Sequence, residues 1–141
     1  MTSPTTTRLR PEGLVHSPAF SHVAVIPPGA RIVLVGGQNA VNAAGDVVGG
    51  DDLAAQAAQV FTNLETALAA GGATLADVVQ WRIAALDGLD PGPAVAELQR
   101  RWDPDVAPPL ISVTLVSGLA VPGALFELDA VAAVADPSQE A

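Results

Sequence analysis

The sequence contains no cysteine, which excludes disulfides, thiolate nucleophiles and thiolate metal sites. Histidine is nearly as scarce: His16 and His22 stand six residues apart with no adjacent carboxylate cluster, so no metal site is expected. Charged residues make up 15% of the chain, against about 25% in average soluble domains. Positive charge is the scarcest of all. The six basic residues are Arg8, Arg10, Arg31, Arg82, Arg100 and Arg101, and nothing after Arg101 is basic. With a net charge of −9, the chain lacks the positive surface that phosphates require, so nucleic acid is not an expected partner. No apolar run approaches the roughly 18 residues of a membrane span without Gly, Pro or charge, so no membrane partner is expected. Met1 to Arg10 is Thr-rich and has no apolar core of a secretory signal, which makes the cytoplasm the expected compartment.

What the chain does have is small apolar residues. Half of its 141 residues are apolar, and aromatics supply only 4%, so Ala, Val and Leu dominate. This length suits one domain. So apolar a composition implies either a surface coated with Ala or a surface buried against another chain. Residues 1–13 read as a flexible lead, 14–135 as a single domain and 136–141 as a tail.

Hydrophobic periodicity places the elements. Ser21 to Ile26 and Arg31 to Val35 flank the turn Pro27-Pro28-Gly29-Ala30 and read as a β-hairpin. Leu53, Ala57, Val60, Leu64 and Leu68 form a helical stripe, opened by Asp51-Asp52 and closed by Gly71-Gly72. Val78 to Leu86 alternates as a strand. A second helix starts near Pro93 with the stripe Val95, Leu98 and Trp102, and Arg100-Arg101 suit its negative C-terminal end. Leu110 to Val116 and Ala124 to Val134 are the last strands. The order is β-β-α-β-α-β-β, an α+β arrangement with both helices covering one face of one mixed sheet. The opposite face then carries Gln80, Arg82, Ser112, Thr114, Glu127 and Asp129, and no helix remains to cover it.

Several stretches together resemble the RidA family (YjgF/YER057c/UK114). They are Pro18-Ala-Phe-Ser-His22, Ile32-Val-Leu-Val-Gly-Gly-Gln38, Gln56 through Asn63-Leu64 to Leu68, Gly72-Ala-Thr-Leu-Ala-Asp-Val-Val79 and Gly123-Ala-Leu-Phe-Glu-Leu-Asp-Ala-Val-Ala132. The resemblance implies a chorismate-mutase-like fold, a homotrimer whose open sheets form a central barrel, and sites in clefts between subunits. It implies hydrolysis of reactive enamines and imines to ketone plus ammonia, with no cofactor and a small-molecule substrate or ligand.

The resemblance also assigns roles. Glu127 matches the strand Glu that orients water and is the candidate catalytic residue; a solvated carboxylate paired with Arg82 is the plainer alternative. Gly37 matches a turn whose backbone touches substrate, and Gly36 stands where a Ser is usual. Phe20 stands where a Tyr is common, and His22 is a candidate donor or base. Ile111 occupies the position of the carboxylate-binding Arg, with Val113 beside it on the strand, and Asn63 is read as satisfying backbone groups. Losing the Arg argues against ordinary 2-imino acid activity, because a substrate carboxylate would lack its two-pronged partner. Arg82 or Arg31 could substitute for it. A non-catalytic small-molecule-binding or regulatory trimer using the same cleft is the alternative function. Endoribonuclease activity conflicts with the −9 charge, and chorismate mutase activity with the missing cation.

Overall fold

The computed structural model describes residues 5–136. Strands β1 (Thr7–Leu9), β2 (Val23–Val25) and β3 (Arg31–Gln38) precede helix α1 (Leu53–Ala70). A single 3-10 turn (Leu75–Asp77) leads into β4 (Val78–Leu86), followed by α2 (Gly92–Arg101), β5 (Leu110–Val116) and β6 (Phe126–Val134). The main sheet has the order β3-β6-β4-β5, with β4 and β5 parallel and the other pairs antiparallel. Both helices lie on one face of it, as periodicity predicts.

Strand β6 runs through the middle of the sheet, and its alternation sets the two faces. Phe126, Leu128, Ala130 and Ala132 are buried against Ala57, Val60, Phe61, Leu64 and Leu68 of α1. Glu127, Asp129 and Val131 point to the open face, only half-buried. The apolar stripe of α1 is therefore buried as its spacing predicts. Its start is fixed by Asp52, whose carboxylate accepts from the Ala54 and Ala55 amides at 3.0 and 3.3 Å. At its end the Arg31 guanidinium donates to the Gly71 and Gly72 carbonyls, placing a cation on the negative end of the helix.

Three sequence expectations are corrected. The hairpin between residues 21–26 and 31–35 does not form: β2 pairs antiparallel with β1, while β3 pairs with β6. The reason is that β3 finds a long apolar partner in β6, whereas β2 is three residues long and exposed on its outer side. Thr7–Leu9, within the stretch expected to be a flexible lead, is accordingly a strand. Arg8 anchors it, donating from Nη2 to the Ala76 and Val78 carbonyls at 2.9 and 2.7 Å. Burial holds the Arg8 guanidinium below its ordinary pKa, with Asp77 opposing that shift. Of the expected tail 136–141, all but Asp136 lies outside the described residues.

The third correction concerns α2. Val95 is exposed, while Glu97 is buried. Glu97 tolerates burial because Arg101 Nε donates to it at 2.9 Å and Arg100 pairs with it as well. Arg101 also reaches Glu65 at 3.1 Å and the Ala58 carbonyl at 3.2 Å, tying α2 to α1. The expected Arg pair at the helix C-terminus is present, and Arg101 doubles as the clasp between the helices.

Candidate functional site

The end of β3 departs from regular pairing. Val35 is opposite Ala130 and Gln38 is opposite Leu128, so Gly36 and Gly37 together face the single residue Asp129. This is a β-bulge, an irregularity that bends a strand and commonly lies next to functional sites. Loop residues after the bulge are held from α1: Asn63 Nδ2 donates to the Asn39 and Val41 carbonyls at 3.1 and 2.8 Å. Asn63 thus serves backbone groups, as the sequence reading has it. Gln56, fully buried, donates from Nε2 to the Gly50 and Gly123 carbonyls at 2.8 Å and accepts from the Leu125 amide at 2.9 Å. It fixes the segment entering β6 two residues before Glu127.

The bulge brings Gly37 against Glu127. A Cβ built on Gly37 would lie 2.7 Å from the Glu127 carboxyl carbon and 3.1 Å from its Cγ, so the carboxylate occupies the volume of the absent side chain. Around Gly36 nothing lies within 4 Å of such a Cβ. Glu127 has no hydrogen bond or ion pair among the described residues. Its expected alternative partner is taken, since Arg82 Nε donates to Asp129 Oδ1 at 3.0 Å instead. That bond raises the Arg82 pKa above its ordinary value. The strand register explains the choice: Arg82 is directly opposite Asp129, whereas Glu127 is opposite Ala84. A shallow depression of about 300 Å³ opens beside the bulge, lined by Leu34, Gly36, Gly37, Arg82, Asp129 and Val131 among others.

The remaining candidates lie elsewhere in the protomer. Phe20 and His22 meet edge to face, with centroids 5.3 Å apart. His22 Nε2 donates to the Val15 carbonyl at 2.7 Å, which leaves Nδ1 as the acceptor in the neutral ring. The Ser21 amide donates to the Pro109 carbonyl at 3.2 Å and so joins this segment to the start of β5. Ile111 packs against the core and is paired in register with Trp81, on the helix side of the sheet. Val113 follows on the same side and is exposed. Glu127 is on the opposite face, two strands away from β5, or about 10 Å. One protomer therefore brings Glu127, Gly36 and Gly37 together, and Phe20 with His22, but does not join the two groups.

Of the two arginines offered as substitutes for the missing one, Arg31 is committed to the end of α1. Arg82 is on the open face beside the bulge. Among the described residues, no group of three or more His, Asp or Glu is gathered that could hold a metal ion, and no helix is long and apolar enough to cross a membrane. Sequence reasoning did not single out Gln56 or the Arg82–Asp129 pair. Strand alternation puts Arg82 and Asp129 on one face, but their pairing depends on the register of β4 against β6; Gln56 lies on the stripe side of α1, where a polar residue shows no sign of its backbone partners.

Residues 14–134 match the family model described as endoribonuclease L-PSP. No curated protein sequence matches. Among solved structures, the chain is similar to a protein of unknown function of the conserved Rid family, YyfB from Yersinia pestis, at 33% identity and a TM-score of 0.80, over 93% of this chain and 100% of that one. It is also similar to Rv2704 from Mycobacterium tuberculosis, a member of the YjgF/YER057c/UK114 family, at 29% identity and a TM-score of 0.58, over 92% and 100% of the two chains. A RidA from an Antarctic Psychrobacter, at 20% identity and a TM-score of 0.66 over 90% and 94%, shares the fold. The α+β fold expected from the sequence is the fold of these structures, and the chain belongs to the RidA (YjgF/YER057c/UK114) family.

Proposed function

We propose that the protein hydrolyses reactive enamines or imines to a ketone and ammonia, as a homotrimer with its sites between copies. The observation that carries this reading is the Glu127 carboxylate, without a partner among the described residues and held over the Gly37 backbone at a bulge. Imine hydrolysis needs a positioned water and a group that moves its proton. Glu127 orients the water and takes its proton as the oxygen bonds to the C=N carbon. Both water protons end on nitrogen by way of Glu127, the C–N bond breaks with its electron pair going to nitrogen, and ammonia leaves a ketone behind. Gly37, with no side chain, leaves room for the Glu127 carboxylate to lie close over its backbone.

Two features support assembly. The open face exposes Leu34 at 75% and Ile32 at 47%, an apolar surface with no helix over it. Glu127 with Gly37, and Phe20 with His22, lie on different parts of one protomer, so a shared cleft requires a neighbouring copy.

The test is to generate a panel of imines in situ from several amines and amino acids and to follow ketone and ammonia release. Acceleration by the wild type, lost in Glu127→Gln, is expected. No acceleration across the panel, or full activity in the variant, would refute the reading.

The second reading is a non-catalytic small-molecule-binding or regulatory trimer using the same cleft. It is favoured by Ile111, which turns into the core, and by Phe20, which offers no hydroxyl. Saturable thermal stabilisation by ligands without turnover would distinguish it. Cleavage of RNA is opposed by the net charge of −9, which repels phosphates.

A further inference from the structure

The depression beside Gly37 is lined by one cation, Arg82, and one anion, Asp129, and the Glu127 carboxylate packs against Gly37, one of its lining residues. The Arg82 charge is already met by Asp129 at 3.0 Å. Glu127 is left over, so the site carries one formal net negative charge.

Little else in the chain can reverse that sign. Arg8 is bonded to two carbonyls beneath β1, Arg31 to the end of α1, and Arg100 and Arg101 to Glu97. A neighbouring copy carries the same commitments, which leaves Arg10 as the one arginine without a partner among the described residues. Ile111 offers no charge. The chain as a whole is at −9, so the long-range field has the same sign as the site.

We infer that this site selects cationic iminium groups on molecules lacking a carboxylate, the kind formed from amines rather than from amino acids. The inference rests on the imine-hydrolysis reading and names its substrate class. Glu127 and Asp129 stand two apart on the open face of one strand, about 7 Å between their Cα atoms, and Glu127, with Asp129 already bonded to Arg82, is the carboxylate free to meet a positive nitrogen. A substrate carboxylate would instead meet the uncompensated charge of Glu127 beside an Arg82–Asp129 pair that is neutral overall. The reaction balances with water alone: one iminium ion and one water give one ketone and one ammonium ion, with no change in total charge. The water oxygen bonds to carbon, its protons end on nitrogen by way of Glu127, and the C–N bond breaks with its electron pair going to nitrogen.

The experiment compares two three-carbon substrates generated in situ, the iminium of isopropylamine and 2-iminopropanoate from alanine. Wild type is expected to favour the first in kcat/KM by about tenfold or more, with the preference shrinking as salt screens it. Asp129→Asn removes one negative charge and frees Arg82, so it should shift the preference toward 2-iminopropanoate by about tenfold. Equal or faster turnover of 2-iminopropanoate by wild type, or no shift in Asp129→Asn, would overturn the inference while leaving imine hydrolysis standing. If neither imine is turned over, the hydrolase reading fails. The charge preference is then decided by titrating isopropylammonium and 2-methylpropanoate into the protein. Tighter binding of the cation, weakened in Asp129→Asn, supports it; equal binding, absent binding or tighter binding of the anion overturns it.

Discussion

The Glu127 carboxylate lies over the Cα of Gly37, in the space where a side chain at that position would begin. Gly37 does not have a positive φ, so close approach, not backbone conformation, requires a glycine there. Alanine at 37 fits the backbone but displaces the carboxylate, whose flexible chain can swing away. Gly37→Ala is therefore expected to fold normally and to lose about a hundredfold or more of imine hydrolysis, the scale of one general acid–base group. Gly36→Ala, with open space around its Cβ, should retain activity. Parallel melting curves and ketone-release assays check both.

Replacing Ile111 with Arg would not create a carboxylate clamp at the Glu127 depression of the same protomer. Ile111 packs on the core beside Trp81, on the face away from Glu127. Ile111→Arg should cost about 2 kcal/mol of stability through lost packing and a charge drawn into an apolar site. It should give no gain with 2-imino acids. Urea unfolding and the imine panel measure the two effects.

Gln56 joins three chain segments through its one amide. Gln56→Leu keeps the volume but leaves two carbonyls and one amide without this partner, at a cost of about 2–4 kcal/mol. Denaturant unfolding should show that loss, and limited proteolysis should show faster cleavage around residues 118–123.

Leu34 projects from the open face with three-quarters of its surface exposed in a single chain. Leu34→Glu should leave the isolated fold within about 0.5 kcal/mol of wild type but block association. Light scattering is expected to give about three times the 14.2 kDa chain mass for wild type and about one chain mass for the variant.

Much of the fold was legible because one-sided burial leaves a period in the sequence. The alternation of Phe126, Leu128 and Ala130 against Glu127 and Asp129 assigned both faces of β6. The stripe from Leu53 to Leu68, with Asp52 before it and Gly71 after it, assigned α1. On α2 the same logic gave Leu98 and Trp102 but also Val95, which is exposed, because burial of Glu97 depends on two arginines that an apolar stripe does not count. The candidate site was legible only in pieces. Glu127 and Gly37 come from distant parts of the chain, and a period within one strand says nothing about its neighbour.

The sequence by itself determined the two helices, the faces of the long strands, the shortage of cations and the apolar residue at position 111. These are local or compositional properties. Tertiary structure decided which strand pairs with which, so β2 joined β1 instead of β3. It also decided that Arg82 meets Asp129 and not Glu127, through the register of β4 against β6. Arg31 is spent on the end of α1 because that helix ends within its reach. Pairing, register and bulges are set by contacts between residues far apart in the chain, and those contacts exist only once the sheet has formed.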